Sequence, residues 1–499
     1  MPIQTTPREL LPQSLMASWG VGGLGTTSLL YLINMFVVFF LVRHVGIPAA
    51  IAGALLAVTR IYDALLNPVI GTLSDHSVSR WGRRRPWMLA GAVVAPLGVI
   101  AVFNPPALAP GPELYAAVLG ALLLYCTGYS LFAIPHVALG AEMTDDYRAR
   151  ATLMAWRTFF VYVSGIVITA GAPALVAKLG GDHAAYSSMS WAAAAVVAGT
   201  MLWVVASTGR ARVTQRSTTK VPAMRSLRTA LSNRPFVIIL VTKMMGQLGT
   251  AFTGAAMLFF FADVLHRGES ALAVLGLASN LVGVATVPVW SRVLRSVERR
   301  TLLITLQCCN VLTYVSWLAA SPEEPQLLFI LRAIALGACG SGSVLVLMAM
   351  LADTIELDRL KTGQRREGMF VGAFELMQTT SFVIGPLVAG LALSAAGLVP
   401  GLAGRAAQPE SALQMMRIAM SVIPAVCSLL ALTLVLLYRL DAATLARLRV
   451  TAAAPAEADA PAVAAAQVSP PSPPAPPAPP SINASASCAV LTGSSSTSI

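Results

Sequence analysis

Charged side chains are what this sequence has least of. Asp, Glu, Lys and Arg together make up 11% of its 499 residues, where a soluble globular chain carries about a quarter. That supply cannot cover a water-facing surface, which excludes an ordinary soluble protein and calls for an apolar solvent. Acids are scarcer still, 22 against 34 bases. Cysteine is sparse, and the six present (Cys126, Cys308, Cys309, Cys339, Cys427 and Cys488) follow neither a metal-ligand spacing nor a disulfide framework. They read as small apolar packing residues. Phosphate-cradling glycine loops, metal clusters and nucleophile–base pairs are missing, so neither ATP nor an enzyme active site is implied. The start of the chain has no cleavable signal pattern, because its first apolar run is too long and lacks the usual basic flank.

What is abundant is apolar length. The sequence is 56% hydrophobic, and a membrane helix needs roughly 20 mostly apolar residues. Twelve such runs occur, from residues 15–42 to residues 412–438. The fold class expected is therefore an all-α membrane protein of twelve transmembrane helices in two six-helix halves. A segment 1–14 precedes the first half, 15–207. A basic, Ser- and Thr-rich loop, 208–235, leads to the second half, 236–440. Residues 441–499 are an Ala-, Pro- and Ser-rich tail that cannot bury a core.

The surplus of bases invites a nucleic-acid reading, and their placement argues against it. With the even-numbered loops and both termini taken as one side, 25 of the 34 bases fall there and four on the other. The remaining five lie inside helices. This is the positive-inside pattern, which places the protein in a cell (inner) membrane with both termini in the cytoplasm. A missed span would invert every later loop, so the count and the charge bias support each other. A faint internal echo agrees with two halves: Asn67-Pro68-Val69-Ile70 leads into the basic 2–3 loop, and Val287-Pro288-Val289-Trp290 into the basic 8–9 loop.

Several spaced motifs narrow the family. Helix 2 carries Arg60-Ile61-Tyr62-Asp63-Ala64 and Asn67-Pro68, followed by Gly71, Asp75 and Arg80-Trp81-Gly82-Arg83-Arg84-Arg85-Pro86. Helix 4 ends Ile134-Pro135-His136 through Glu142, and Trp156-Arg157 follows in helix 5. Helix 10 exits through Asp353, Glu356 and Asp358 to Lys361-Thr362-Gly363-Gln364-Arg365-Arg366-Glu367-Gly368. Over residues 15–440 this set resembles the glycoside–pentoside–hexuronide:cation symporters of the major facilitator superfamily, the melibiose-permease-like group. Its helix 2 and 2–3 loop pieces also look like the plant and animal sucrose symporters, and sodium-dependent lysophospholipid symporters share the broader group.

The resemblance implies substrate binding between the halves near the midplane and a cation site on helix 2. The first acid of that site is Asp63. The second position is Asn67, one turn on and on the same face; its neutral carbonyl lacks the charge that favours Na⁺, while one carboxylate still carries a proton. H⁺ is therefore expected as coupling ion over Na⁺, with no other cofactor. The family's sugar-binding positions are changed: Thr27, beside Thr26, stands at the helix 1 acid, Ala133 at the helix 4 acid, Val137 at the aromatic that stacks on the sugar and Thr379 at the helix 11 lysine. Intramembrane Glu375, Gln378, Arg157, Lys243 and Gln247 appear instead. Such polar groups are costly in lipid and default to a functional role, so Glu375 joins the coupling set and the others the substrate cavity. A cytoplasmic latch is expected from Asp75, Arg83, Arg84, Arg85, Glu142, Asp353, Arg365 and Arg366, pairing across the halves in one conformation and parting in the other.

The function expected is cation-coupled symport of a sugar or glycoside by a monomer in the lipid bilayer. Its partners are a small-molecule substrate and the coupling cation. The rewritten sugar site keeps open a carrier of lysolipids or other amphipaths. A receptor that merely keeps the fold would not need the retained latch and intramembrane charges.

Overall fold

A computed structural model describes residues 11–77, 79–144, 146–210, 233–362, 367–401 and 408–438. The expected tail and most of the expected central loop lie outside these residues, as do Arg365 and Arg366. All twelve expected spans are helices: α1 Gln13–Arg43, α2 Ala49–His76, α3 Arg85–Phe103, α4 Pro112–Glu142, α5 Thr152–Lys178, α6 His183–Ser207, α7 Arg234–Val264, α8 Gly268–Ser296, α9 Arg299–Ala319, α10 Gln326–Thr362, α11 Gly368–Ala395 and α12 Glu410–Leu436. The sequence starts them by ordinary means. Pro occupies the first turn of α3, α4 and α7, where its missing N–H costs nothing. Asp182 caps α6 by accepting from the Ala185 N–H at 2.8 Å. At 37 residues, α10 is longer than a bilayer needs. Its last turns carry Asp353, Glu356 and Asp358.

The two halves repeat one packing plan. Within the first, α3 packs on α4 and α6, α2 on α4, and α1 on α5 and α6. Within the second, the same pairs recur six helices later: α9 on α10 and α12, α8 on α10, α7 on α11 and α12. The proline echo is part of this repeat. Pro68 and Pro288 lie inside α2 and α8, each eight residues before the helix's last residue, His76 or Ser296.

The halves meet through α2–α11, α5–α8 and α1–α7. Their tightest contacts lie toward the odd-numbered loops. A Cβ on Gly53 of α2 would stand 2.5 Å from the Pro386 carbonyl oxygen, and one on Gly390 of α11 would overlap the Ala49 carbonyl. Gly276 of α8 is pressed on the backbone of Thr169 in the same way. At that end Arg43 pairs with Asp263 at 2.9 Å, both side chains largely buried, and the Gly401 N–H donates to the Val42 carbonyl at 2.9 Å. Two π-helical turns, Val167–Gly171 in α5 and Phe260–Val264 in α7, carry Thr169 and Asp263 into these contacts. Such single-turn widenings re-aim side chains within a helix.

Candidate functional site

The expected coupling group sits in the interior of the first half. Arg60 and Asp63 are both buried, at 6% exposure, because this face of α2 packs on α4. The Ser130 hydroxyl of α4 donates to Asp63 Oδ1 at 2.7 Å, and the Cys126 Sγ lies 3.6 Å from the same oxygen. Arg60 does not spend its guanidinium on Asp63. It reaches to α1, donating to Asn34 Oδ1 at 3.1 Å. One turn beyond Asp63, the Asn67 carbonyl oxygen is buried and has no hydrogen-bond partner among the described residues. The pair thus forms a carboxylate and an unpartnered amide oxygen on one helix face. Among the described residues no cluster of three or more His, Cys, Asp or Glu is placed to hold a metal ion.

A cavity of about 560 Å³ lies between the halves, walled mainly by the second. Its polar lining is amide and hydroxyl: Gln247 and Thr250 of α7, Ser279 and Asn280 of α8, Gln307, Asn310 and Tyr314 of α9, and Ser341 and Ser343 of α10. Tyr31 and Tyr162 contribute from the first half. Among the described residues, Lys243 is the lining's single cation, and no carboxylate belongs to it. These groups are held in place by one another. Asn310 Nδ2 donates to Gln307 Oε1 at 3.0 Å and lies 3.4 Å from Ser343 Oγ. The Thr286 and Ser341 hydroxyls share a hydrogen bond of 3.0 Å. Asn280 Nδ2 donates across the halves to Thr169 Oγ1 at 2.9 Å. The hydroxyls of Thr242 and Thr253, also on the lining, have no partner among the described residues.

The sequence expectations divide here. Lys243 and Gln247 do line the cavity, with Lys243 Nζ 4.9 Å from the Phe374 ring centroid. Thr26, Thr27, Arg157, Gln378 and Thr379 are not among its lining residues. Thr26 is buried and its hydroxyl serves the Gly22 carbonyl at 2.9 Å, one turn back in its own helix. The Thr379 hydroxyl likewise turns to the Glu375 carbonyl at 3.4 Å. Arg157 packs on Gly23 of α1, and its buried Nε has no hydrogen-bond partner among the described residues. Glu375 is exposed on α11, close enough for its charge to act on Lys243, but no ion pair joins them among the described residues. Of the aromatics, Tyr31 and Phe374 face the cavity, while Trp19, Phe36 and Tyr125 are core. Asn280, Gln307, Asn310, Tyr314 and Ser343 escaped the sequence reading. A signal was available: Gln307, Asn310 and Tyr314 recur at helical spacing on one stripe of α9, a polar face inside a span.

The expected latch residues that the structure describes pair within their own halves. Arg83 and Arg84 both bind Glu142, Arg84 at 2.7 Å, and Arg84 also holds Asp75 at 2.8 Å. All four belong to the first half. Arg85 donates to the Val205 carbonyl near the end of α6 at 2.6 Å. The second half repeats the device: Arg299 pairs with Asp353 of α10, and Arg300 donates to the Leu436 carbonyl at the end of α12 at 2.7 Å. Each adjacent Arg pair opens the third helix of its half, binds the acid on the fourth and clamps the end of the sixth. At the opposite end of the bundle, His44 between α1 and α2 is pushed down to about 4 by burial, with the charges of His183 and Arg43 adding to the effect. It stays neutral beside the Arg43–Asp263 bridge.

Comparison with known proteins agrees with this arrangement. Residues 18–442 match the family model described as MFS/sugar transport protein. The chain is 28% identical to the isoprimeverose transporter of Lactiplantibacillus pentosus, over 83% of this chain and 86% of the relative. It is 26% identical to the glucuronide carrier protein homolog of Escherichia coli, over 81% of this chain and 88% of the relative. A crystal structure of a D-xylose–proton symporter superposes with a TM-score of 0.60 at 13% identity, covering 84% of this chain and 96% of that one; it shares the fold. A family model that spans nearly all of the described bundle, over twelve helices in two repeated halves, makes this chain a member of the MFS/sugar transport protein family, a family of membrane transporters and not of enzymes.

Proposed function

We propose that the chain is a secondary symporter that moves a sugar or glycoside by alternating access, coupled to H⁺ rather than Na⁺. The observation that carries this reading is the cavity between the halves, whose lining offers amides and hydroxyls in number and no carboxylate. Such a surface pairs with the many hydroxyls of a neutral polyol, each of which leaves a buried polar group unsatisfied if unmatched. The names of the isoprimeverose and glucuronide relatives point the same way. The lining also carries apolar side chains, Met257, Leu275, Leu336, Leu347 and Phe374 among them, so the lysolipid alternative is decided by transport.

Coupling is assigned to Asp63. It is a lone carboxylate on its helix face with a neutral Asn67 where a second charge would strengthen a Na⁺ site. Proton and substrate each favour the state that binds them, so loading both permits the halves to rock from one closure to the other. The glycine contacts and the Arg43–Asp263 pair hold the present arrangement shut toward the odd-numbered loops. With the basic end in the cytoplasm and the protein in the inner membrane, this is the state closed to the outside. Glu375, beside Lys243, tunes the cavity charge. The protein works as a monomer.

The test is uptake in proteoliposomes under imposed pH and Na⁺ gradients across a panel of glycosides, pentosides and lysolipids. Sugar accumulation that follows the pH gradient alone is the expected result. Accumulation that follows Na⁺ and ignores pH removes the proton assignment, and transport of lysolipid without sugar removes the substrate class.

A further inference from the structure

A second cavity, of about 440 Å³, opens at the basic end where the 2–3 loop meets the ends of α4 and α6. Arg80, Trp81, Arg83, Arg84, Arg85 and Glu142 form most of its wall. Among the described residues, local acids do not neutralise it. Glu142 and Asp75 serve Arg83 and Arg84, and Arg85 is bound to a backbone carbonyl, which carries no net charge. Arg80 lies over the Trp81 ring at 5.7 Å and joins no carboxylate among the described residues.

The surroundings distinguish this cavity from a simple anion pocket. The packed helices α3 and α6 rise from it and present apolar side chains outward: Val93 and Leu97 on one, Leu202 and Trp203 on the other, between 41% and 59% exposed. Trp81, 51% exposed, stands at the rim, and exposed Trp at a span's end marks the headgroup level of a bilayer. A cationic cup that continues into an apolar helical wall has the chemistry of one ligand, an anionic headgroup with acyl chains. Basic pockets between spans on the cytoplasmic side bind such headgroups because that leaflet carries the negative surface potential.

We propose that this cavity is a binding site for an anionic phospholipid, with the phosphate held by Arg80 and Arg83 and the chains lying on α3 and α6. The site is separate from the substrate cavity and does not depend on the sugar reading. By adding a phosphate to the Arg83–Glu142–Arg84 cluster, a bound lipid would brace the 2–3 loop in its present pairing.

The experiment is native mass spectrometry of the full-length protein with phosphatidylglycerol or phosphatidylcholine of matched chains. Wild type is expected to retain phosphatidylglycerol on the order of tenfold better, and Arg80→Gln to reduce that preference roughly fivefold, one surface charge's worth. Arg295→Gln, the same charge change elsewhere at the basic end, should leave it as in wild type, and Arg80→Lys should restore most of it. Equal retention of the two lipids, or an Arg80→Gln protein indistinguishable from wild type, overturns the proposal. Displacement of the lipid by millimolar inorganic phosphate also overturns it, because the cavity would then be a free-anion site. Arg80 is exposed and makes no side-chain hydrogen bond among the described residues, and the Arg295→Gln arm controls for nonspecific surface charge.

Discussion

The two halves of this protein share a packing plan and bury different things. The first half is a dense core of large side chains, Trp19, Phe36, Phe40, Phe103, Tyr125 and Phe132 among them, with the charged Arg60 and Asp63 sealed inside. The second half is hollowed along α7 to α10 into an amide- and hydroxyl-lined wall. Six-helix repeats related by an axis along the membrane normal begin equivalent. Here the repeat survives where it serves mechanics: in the helix pairings, in the prolines of α2 and α8 and in the Arg84–Arg85 and Arg299–Arg300 clamps. It is lost where it serves chemistry. The comparison suggests a division of labour, with the coupling ion handled in the first half and most of the solute in the second.

The sharpest way to break that comparison is Asp63→Asn. The substitution keeps the shape and the Ser130 hydrogen bond but removes the titratable group. Accumulation against a gradient should disappear, while solute exchange between equal proton concentrations persists, because the substrate wall is elsewhere. Loss of exchange together with accumulation would mean that the carboxylate also binds solute. A somewhat smaller effect is expected from Arg43→Gln, which strikes the seam between the halves. It leaves Asp263 buried without its partner, at a cost of about 3 kcal/mol to the state closed toward the odd-numbered loops. That is roughly a hundredfold shift in a two-state equilibrium. A cysteine at the cavity-lining Gly254, in a chain whose native cysteines are replaced by Ser, reports it. Impermeant maleimide from the odd-loop side should label it much faster in the Arg43→Gln background, and unchanged labelling would mean that the glycine contacts hold the closure alone.

How far these features could be read beforehand follows from what each one depends on. Twelve spans and their polarity depend on local composition, and hydropathy with charge placement carries that information without any tertiary contact. Asp63 was legible because a carboxylate in lipid has few structural excuses. Thr26, Thr27 and Thr379 were placed by register against a family pattern, which is blind to a side chain satisfying its own helix, as the hydroxyls of Thr26 and Thr379 do. The latch motif was visible, but the partner was not: whether Arg84 meets Glu142 in its own half or an acid in the other is a question of distance. Asn280, Gln307 and Asn310 were passed over because neutral amides are cheap enough in a span to look unremarkable singly. Only the packing of α8, α9 and α10 shows them converging on one cavity.

The smallest predicted effect tests that convergence. Asn310 lies on the cavity wall with its amide nitrogen engaged by Gln307 and Ser343, which fixes its orientation toward an incoming hydroxyl. Truncating it removes about one neutral hydrogen bond to solute, worth about 1 kcal/mol, and frees Gln307 to rotate. Asn310→Ala should therefore raise the half-saturating sugar concentration roughly fivefold while leaving the proton-to-sugar ratio and the maximal rate near wild type. Asp63→Asn has the opposite signature, destroying the ratio and sparing binding. If Asn310→Ala altered the coupling ratio, or if the half-saturating concentration did not move, the second half would be a passive frame and the division of labour between the halves would have to be abandoned.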